Sequence, residues 1–78
     1  MRTITNVKTL PDYELLLTFA TDEQKIYNLK PLLEKGIFKQ LTNLNNFNSV
    51  RVENGTIIFL DEIDFCPDSL YLKSRKVN

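Results

Sequence analysis

An Asn-Gly pair, Asn54-Gly55, joins two runs of strand-forming residues, 49–53 and 56–60. Asn-Gly is the strongest short-range hairpin signal, because a two-residue type I′ turn needs positive φ at both positions. The turn also sets the register of the two strands. The expected pairs are Glu53 with Thr56, Val52 with Ile57, Arg51 with Ile58 and Val50 with Phe59. The apolar members of these pairs share one face, which we assign to the core: Val50, Val52, Ile57 and Phe59.

The first third of the chain predicts a meander of three antiparallel strands, over residues 3–10, 13–20 and 25–28. Pro11-Asp12 predicts the first turn, since Pro sets φ and Asp bonds to neighbouring backbone. The second strand alternates most clearly. One of its faces carries Tyr13, Leu15, Leu17 and Phe19, and the other carries Glu14, Leu16, Thr18 and Ala20.

The hydrophobic period becomes helical after residue 30. Pro31 just inside a helix start and Gly36 just past its end predict a short helix, with Asn28 as its capping side chain. An apolar stripe then predicts a second helix lying on the sheet, through Ile37, Phe38, Leu41 and Leu44. The Asn-rich residues 43–48 are expected to form a loop that Phe47 anchors.

Together these elements predict an α+β fold, with one antiparallel sheet of about five strands, built from the meander and the hairpin. Two or three short helices cover one face, the last over residues 67–73. We expect residues 1–78 to form one domain, because a chain of this length has room for a single core. Its ordered part is predicted to run from about residue 3 to residue 73, and residues 74–78 are predicted to fray.

The composition removes most enzyme chemistry. The chain has no His, two Gly and a single Cys, Cys66. His is the commonest general base and transition-metal ligand, and a phosphate-cradling loop needs several glycines. Because no His can activate it, Cys66 is expected to be a small buried packing residue. We therefore expect no enzyme activity, no cofactor and no bound metal.

Charge and hydropathy predict a cytoplasmic protein. Ten Lys and Arg balance ten Asp and Glu, so no net charge draws the chain to nucleic acid or to an anionic membrane. The first residues lack the apolar stretch of a signal peptide, and the longest apolar runs, residues 15–17 and 57–60, are far shorter than a membrane span. A lone Cys fits a reducing compartment.

An acidic segment follows the hairpin and is the first candidate for a binding site. Its carboxylates are Asp61, Glu62, Asp64 and Asp68, and Tyr71 follows on the predicted helix. The spacing matches no calcium loop, because the turn glycine and an oxygen side chain at the fifth position are missing. We assign these five residues as candidate contacts for a protein partner. The alternative is a solvated strand exit followed by a helix cap.

Two other parts of the predicted surface each have two possible roles. Residues 3–7 predict either an edge strand pinned in the chain's own sheet or strand addition to another chain, including a second copy. Lys73, Arg75 and Lys76 predict either a solvated tail or weak contact with nucleic-acid phosphates.

Several motifs occur in a characteristic order: residues 28–33 (Asn-Leu-Lys-Pro-Leu-Leu), 36–41, 47–50 and 64–71 (Asp-Phe-Cys-Pro-Asp-Ser-Leu-Tyr). In this order and spacing the chain resembles a small bacterial family catalogued as domain of unknown function 2442, from about residue 7 to residue 74. Three positions depart from its pattern. The chain has Asp22-Glu23 at a usual Asp-Gly-type turn, Phe59 at a frequent Trp and Asn28 at a common Asp.

The resemblance implies a small α+β domain without an established activity, and no site residues carry over. Family members are often encoded beside another small protein, and some are joined to DNA-binding segments, which suggests an antitoxin-like role in a two-gene toxin–antitoxin pair. We therefore expect a non-catalytic protein-interaction module that binds a small protein through the acidic segment or a sheet edge. The alternative is a weak nucleic-acid-binding accessory or transcription-regulating domain.

Overall fold

The computed structural model describes residues 2–77 and confirms an α+β fold. Its strands are β1 (Ile4–Leu10), β2 (Glu14–Phe19), β3 (Gln24–Asn28), β4 (Arg51–Glu53), β5 (Thr56–Phe59), β6 (Ile63–Asp64) and β7 (Arg75–Lys76). Its helices are α1 (Leu44–Phe47), α2 (Pro67–Lys73) and two 3-10 helices, Lys30–Leu32 and Gly36–Thr42. None of the helices within residues 2–77 has the length and hydropathy needed to cross a membrane.

The predicted meander is confirmed. β1, β2 and β3 pair antiparallel in a four-stranded sheet of order β1-β2-β3-β7. In β2 the period-two alternation decides which side chains face the core, and Leu15, Leu17 and Phe19 are buried. The first turn holds Asp12 and Tyr13 at φ values of 67° and 61°.

The predicted hairpin is confirmed as well. Asn54 and Gly55 have φ values of 53° and 80°, which is the left-handed geometry of a type I′ turn. Three of the expected pairs form the β4–β5 register, Arg51 with Ile58, Val52 with Ile57 and Glu53 with Thr56. The side assigned to the core is correct, because Ile57 and Phe59 are fully buried and Val50 and Val52 pack against the core.

The sheet arrangement differs from the single sheet that we expected. Within residues 2–77, seven strands form two sheets, the four-stranded one and a three-stranded one of order β4-β5-β6. The two added strands, β6 and β7, have two residues each, too few to show a period in the sequence. The two sheets meet where the register of β1 shifts, between Ile4 and Asn6. There Ile4 stays paired with Phe19 of β2, and its N–H donates to the Gly55 carbonyl at 2.8 Å.

The predicted helices between the sheets are 3-10 rather than α. The first is the short turn Lys30–Leu32, whose N-cap residue is Leu29, without a side-chain capping bond. The predicted capping residue, Asn28, lies one position earlier, where its Oδ1 accepts from the Lys30 N–H at 3.1 Å. The second runs from Gly36 to Thr42. With three residues per turn, Phe38 and Leu41 fall on one side and face the core.

Two expectations in this region were wrong. Ile37 and Leu44, which we placed on the apolar stripe, are 48% and 60% exposed. The extended backbone of Asn43 ends the 3-10 helix and starts α1, so the helical stripe does not continue through Leu44. Residues 44–47 form one helical turn instead of a loop, capped by the Asn43 side chain, which accepts from the Asn45 N–H at 2.8 Å. Phe47 is buried and anchors the segment as predicted.

The end of the chain is more ordered than we expected. α2 spans the predicted residues 67–73, with Pro67 in its first turn. The prediction that residues 74–78 fray is wrong over Arg75–Lys76, because β7 pairs with Lys25 and Ile26 of β3. An ion pair between Arg75 and Glu14 of β2 also holds this segment to the sheet. Asn78 lies outside the described residues.

The core lies between the inner face of the four-stranded sheet, the three-stranded sheet and the helices. Its buried side chains are Ile4, Leu15, Leu17, Phe19, Tyr27, Leu29, Leu33, Leu41, Phe47, Ile57, Phe59, Ile63 and Leu70. Phe65 joins several of the elements, with ring centroids 5.6 Å from Phe38, 5.8 Å from Phe59 and 6.1 Å from Tyr27. Such aromatic contacts add to the stabilisation that burial of apolar area provides.

We predict that Gly55→Ala destabilises the protein more than Gly36→Ala. Both glycines have positive φ, so each substitution costs about 1 kcal/mol of backbone strain. At Gly55 the added Cβ would also lie 3.1 Å from the Thr3 Cγ2, whereas at Gly36 it meets nothing within 4 Å. Urea unfolding of the two variants measures the difference. Equal losses of unfolding free energy would show that the approach of Thr3 to the hairpin turn adds no constraint.

Candidate functional site

The first half of the acidic segment lies at the end of the three-stranded sheet. Asp61, in the turn after β5, forms an ion pair with Arg51 of β4, which also donates to the Glu53 Oε1 at 2.9 Å. The hydrogen bond to Asp61, followed by that to Glu53, raises the pKa of the Arg51 guanidinium. Glu62 and Asp64 are exposed and make no ion pair within residues 2–77.

The second half of the predicted site lies on α2. The Asp68 Oδ1 accepts the Arg2 backbone N–H at 2.9 Å, and the Tyr71 hydroxyl donates to the Glu23 Oε1 at 2.7 Å. No three acidic or Cys side chains within the described part of the chain are arranged to hold a metal ion. The five predicted contact residues are therefore divided between a sheet end and a helix, and three of them are already bonded within the molecule.

Tyr71 lies in a cluster that joins both ends of the chain. The Arg2 Cζ and the Lys25 Nζ each lie 3.9 Å from the centre of its ring, a distance at which a cation is attracted to the ring electrons. The hydrogen bond to Glu23, followed by desolvation, raises the pKa of the Tyr71 hydroxyl. Lys25 is only 8% exposed, and its Nζ donates to the Tyr71 carbonyl at 2.6 Å near the end of α2.

Cys66 lies immediately before α2 and is exposed. Our expectation of a buried packing residue is therefore wrong. The neighbouring Phe65 packs against the core instead, and Cys66 occupies the N-cap position without a side-chain capping bond.

The basic residues at the chain end do not form one surface. Arg75 and Lys76 are consecutive in β7, and consecutive strand residues project to opposite faces. Arg75 makes a two-pronged contact with Glu14, at 2.9 Å and 3.3 Å. Lys76 pairs across the strands with Lys25, and Lys73 borders a cleft beside Tyr27 and Lys35. Burial raises the pKa of the Tyr27 hydroxyl there.

The outer face of the four-stranded sheet is a second candidate surface, which we did not predict from the sequence. Residues paired directly across antiparallel strands share a face. The central row runs Lys8, Leu16, Ile26 and Arg75, with one residue from each strand in the order β1, β2, β3 and β7. The neighbouring rows are Leu10, Glu14 and Asn28 on one side and Asn6, Thr18 and Gln24 on the other. We call these ten residues the outer face.

Apolar side chains occupy the middle of the outer face. Leu16 and Ile26 are partly exposed and do not belong to the core cluster, whose β2 and β3 members project to the opposite side. α2 lies on that inner side, because Tyr71 packs edge-on against the buried Phe19. The signal in the sequence was the Leu15-Leu16-Leu17 run. In a strand with one face in water, apolar residues normally alternate with polar ones, so three consecutive Leu residues place an apolar side chain on the outer face as well.

The edge of the sheet is partly used within the molecule. β1 is the outermost strand, but its first residue, Ile4, already donates to Gly55 of the hairpin, and β1 contacts β4 and β5. Strand addition at residues 3–7 stays a prediction that would have to compete with the contact between Ile4 and Gly55.

We predict that Lys25→Met lowers the free energy of unfolding by about 2 kcal/mol, since a charged hydrogen bond and a cation–π contact are lost together. Lys39→Met is the matched control, because Lys39 is exposed and forms no ion pair among residues 2–77. Urea unfolding measures both variants. A loss no larger than that of the control would show that the Tyr71 cluster does not stabilise the fold.

We also predict a pH dependence that comes from Glu14. The hydrogen bond from Arg75 lowers the pKa of the Glu14 carboxyl below its ordinary 4.5. A carboxyl with a lowered folded-state pKa stabilises the protein above its unfolded pKa, and this stabilisation is lost as the pH falls through the folded-state value. Glu14→Gln should therefore differ most from the wild type at neutral pH and progressively less below about pH 4.5. Unfolding at pH 7, 5, 4 and 3 tests this, with Glu62→Gln as control, and parallel curves would contradict it.

The chain matches the family described as "Protein of unknown function (DUF2442)" over residues 4–76, which is nearly its whole length. No curated protein and no solved structure matches it significantly. The match includes the meander, the hairpin and α2, and the resemblance that the motifs predicted is confirmed. The chain belongs to the DUF2442 family of proteins of unknown function.

Proposed function

We propose that the protein is a cytoplasmic, non-catalytic protein-interaction module that binds a small protein partner with the outer face of its four-stranded sheet. The observation that carries the proposal is the apolar pair Leu16–Ile26 in the middle of that face, outside the core cluster. An antitoxin-like role in a two-gene pair is one form that such a module could take.

The physical argument begins with the cost of leaving apolar area in water. Complete burial of a Leu or Ile side chain yields about 1.5–3 kcal/mol, so covering the exposed parts of Leu10, Leu16 and Ile26 recovers a share of that for each. A protein-binding surface typically has apolar side chains in its centre and polar side chains around them, and this sheet face has the same arrangement. Lys8, Gln24 and Asn28 form part of the border here, and all three are exposed.

The acidic segment supports a weaker form of the same proposal. Asp61 and Asp68 are engaged with Arg51 and the Arg2 backbone, which leaves Glu62 and Asp64 as its free carboxylates among the described residues. Two exposed charges supply little affinity, because water and salt screen them. They can set the orientation of a partner and the rate at which it associates.

Nucleic-acid binding has less support from the geometry. Phosphate contact needs several cations on one surface. Arg75 and Lys76 project to opposite faces of β7, and Arg75 is already paired with Glu14. The outer face also carries no aromatic side chain on which a base could stack.

The proposal is tested by affinity capture of the tagged protein from its own cells at near-physiological salt, with and without nuclease. The wild type is compared with Leu16→Thr/Ile26→Thr, which keeps strand-forming residues at both positions. We expect one stoichiometric small protein that nuclease treatment does not remove, and its loss from the double variant.

Two matched controls separate the surfaces. Ile37→Thr/Leu44→Thr removes exposed apolar side chains elsewhere, and Glu62→Gln/Asp64→Asn removes the free acidic charges. Both should retain the partner. Thermal unfolding of every variant checks that the fold is intact. Capture of nothing specific, or capture that depends on nucleic acid, overturns the proposed function.

A further inference from the structure

We infer that the element of the partner that binds the outer face is a single amphipathic helix of about three turns, with carboxylates on both sides of its apolar stripe. This inference rests on the proposed function and specifies the chemistry of the partner. It follows from the size of the outer face and from the position of its charges.

The size of the face suits one helix. Strands about 4.8 Å apart make a four-stranded sheet about 19 Å wide, and the six residues of β2 are about 20 Å long. A three-turn helix is about 16 Å long and about 10 Å wide. A helix along the strands would cover Leu16 and Ile26, which are paired across β2 and β3 in the middle of the face.

A second copy of the chain fits this surface poorly. A standard interface buries about 800 Å² on each partner. The outer face measures roughly 380 Å² in projection, from the strand spacing and length above, and β7 covers only part of one side. Two copies packed face to face would also leave Lys8 of each copy without an opposite charge, because Glu14 is already paired with Arg75.

The charges of the central row define the sides of the helix. Lys8 on β1 and Arg75 on β7 flank Leu16 and Ile26, three strand spacings or about 14 Å apart. A helix about 10 Å wide that lies between them places its flanking side chains within reach of both. The two flanking charges are positive, so the complementary helix carries Asp or Glu on each side of its apolar stripe.

Arg75 can bind a partner carboxylate without releasing Glu14. Its guanidinium has five N–H donors, and the contact with Glu14 uses one on Nη1 and one on Nη2. Lys8 is exposed and forms no ion pair within the described residues. Both ends of the row therefore retain donors for a partner.

Site-specific photo-crosslinking in the native cells tests the inference. p-Benzoylphenylalanine replaces one residue at a time: Gln24 on the outer face, Asp64 in the acidic segment and Asn45 on α1 as control, all of which are exposed. We expect a crosslink from Gln24 alone. Mass spectrometry should locate it in a partner segment with apolar residues at helical spacing and acidic residues beside them.

Once that segment is known, its synthetic peptide is titrated against the purified protein. Lys8→Glu should weaken binding about tenfold at low salt and less at high salt, whereas the matched variant Lys39→Glu should not. Circular dichroism of the complex should show helix formation by the peptide.

Each other outcome overturns one claim specifically. A partner that crosslinks from Asp64 instead of Gln24 preserves the interaction module and refutes the outer face as its surface. A basic segment, an extended segment or a second copy crosslinked at Gln24 refutes the acidic helix. Absence of any crosslinked partner, together with empty affinity capture, refutes the proposed function itself.

Discussion

The backbone hydrogen bond from Ile4 to Gly55 is the constraint on which the rest of the structure depends. It joins the bulge in β1 to the tip of the β4–β5 hairpin, and so places the second sheet against the inner face of the first. Thr3 approaches the turn so closely that a Cβ at Gly55 would lie 3.1 Å from the Thr3 Cγ2. Because the second sheet and α2 lie on the inner face, the outer face of the meander stays open, with Leu16 and Ile26 in its middle.

Local signals explain which parts of the fold were predictable. The Asn-Gly turn determines the register of its hairpin, and the alternation along β2 determines which of its residues face the core. Both could therefore be predicted without knowledge of the rest of the molecule. The same is true of Pro67 at the start of α2. The two-residue strands are different. β7 pairs with the edge of β3, and its Arg75 forms an ion pair with Glu14. Both β3 and Glu14 are distant from β7 in the sequence.

The candidate site was harder to predict than the fold. The acidic segment stands out in the sequence because its charges are adjacent, but Arg51 and the Arg2 backbone, which bind two of its carboxylates, lie 10 and 66 residues away. The residues of the outer face, by contrast, are not adjacent in the sequence. Its central row takes one residue from each of four strands, and those residues span the chain from Lys8 to Arg75, so only the register of the sheet reveals it.

The Tyr71 cluster joins residues from both ends of the chain, and this affects the order in which the chain folds. The contact of Arg2 with Asp68 closes a loop of 66 residues, whereas β1 and β2 are joined by a turn of three. Ordering a long loop costs more chain entropy than ordering a short one, and contacts between distant residues slow the search for the native state. The meander is therefore the part of the chain that can form from local contacts alone. We therefore expect Arg2, Lys25 and Tyr71 to meet in the late steps of folding, when the two ends of the chain come together.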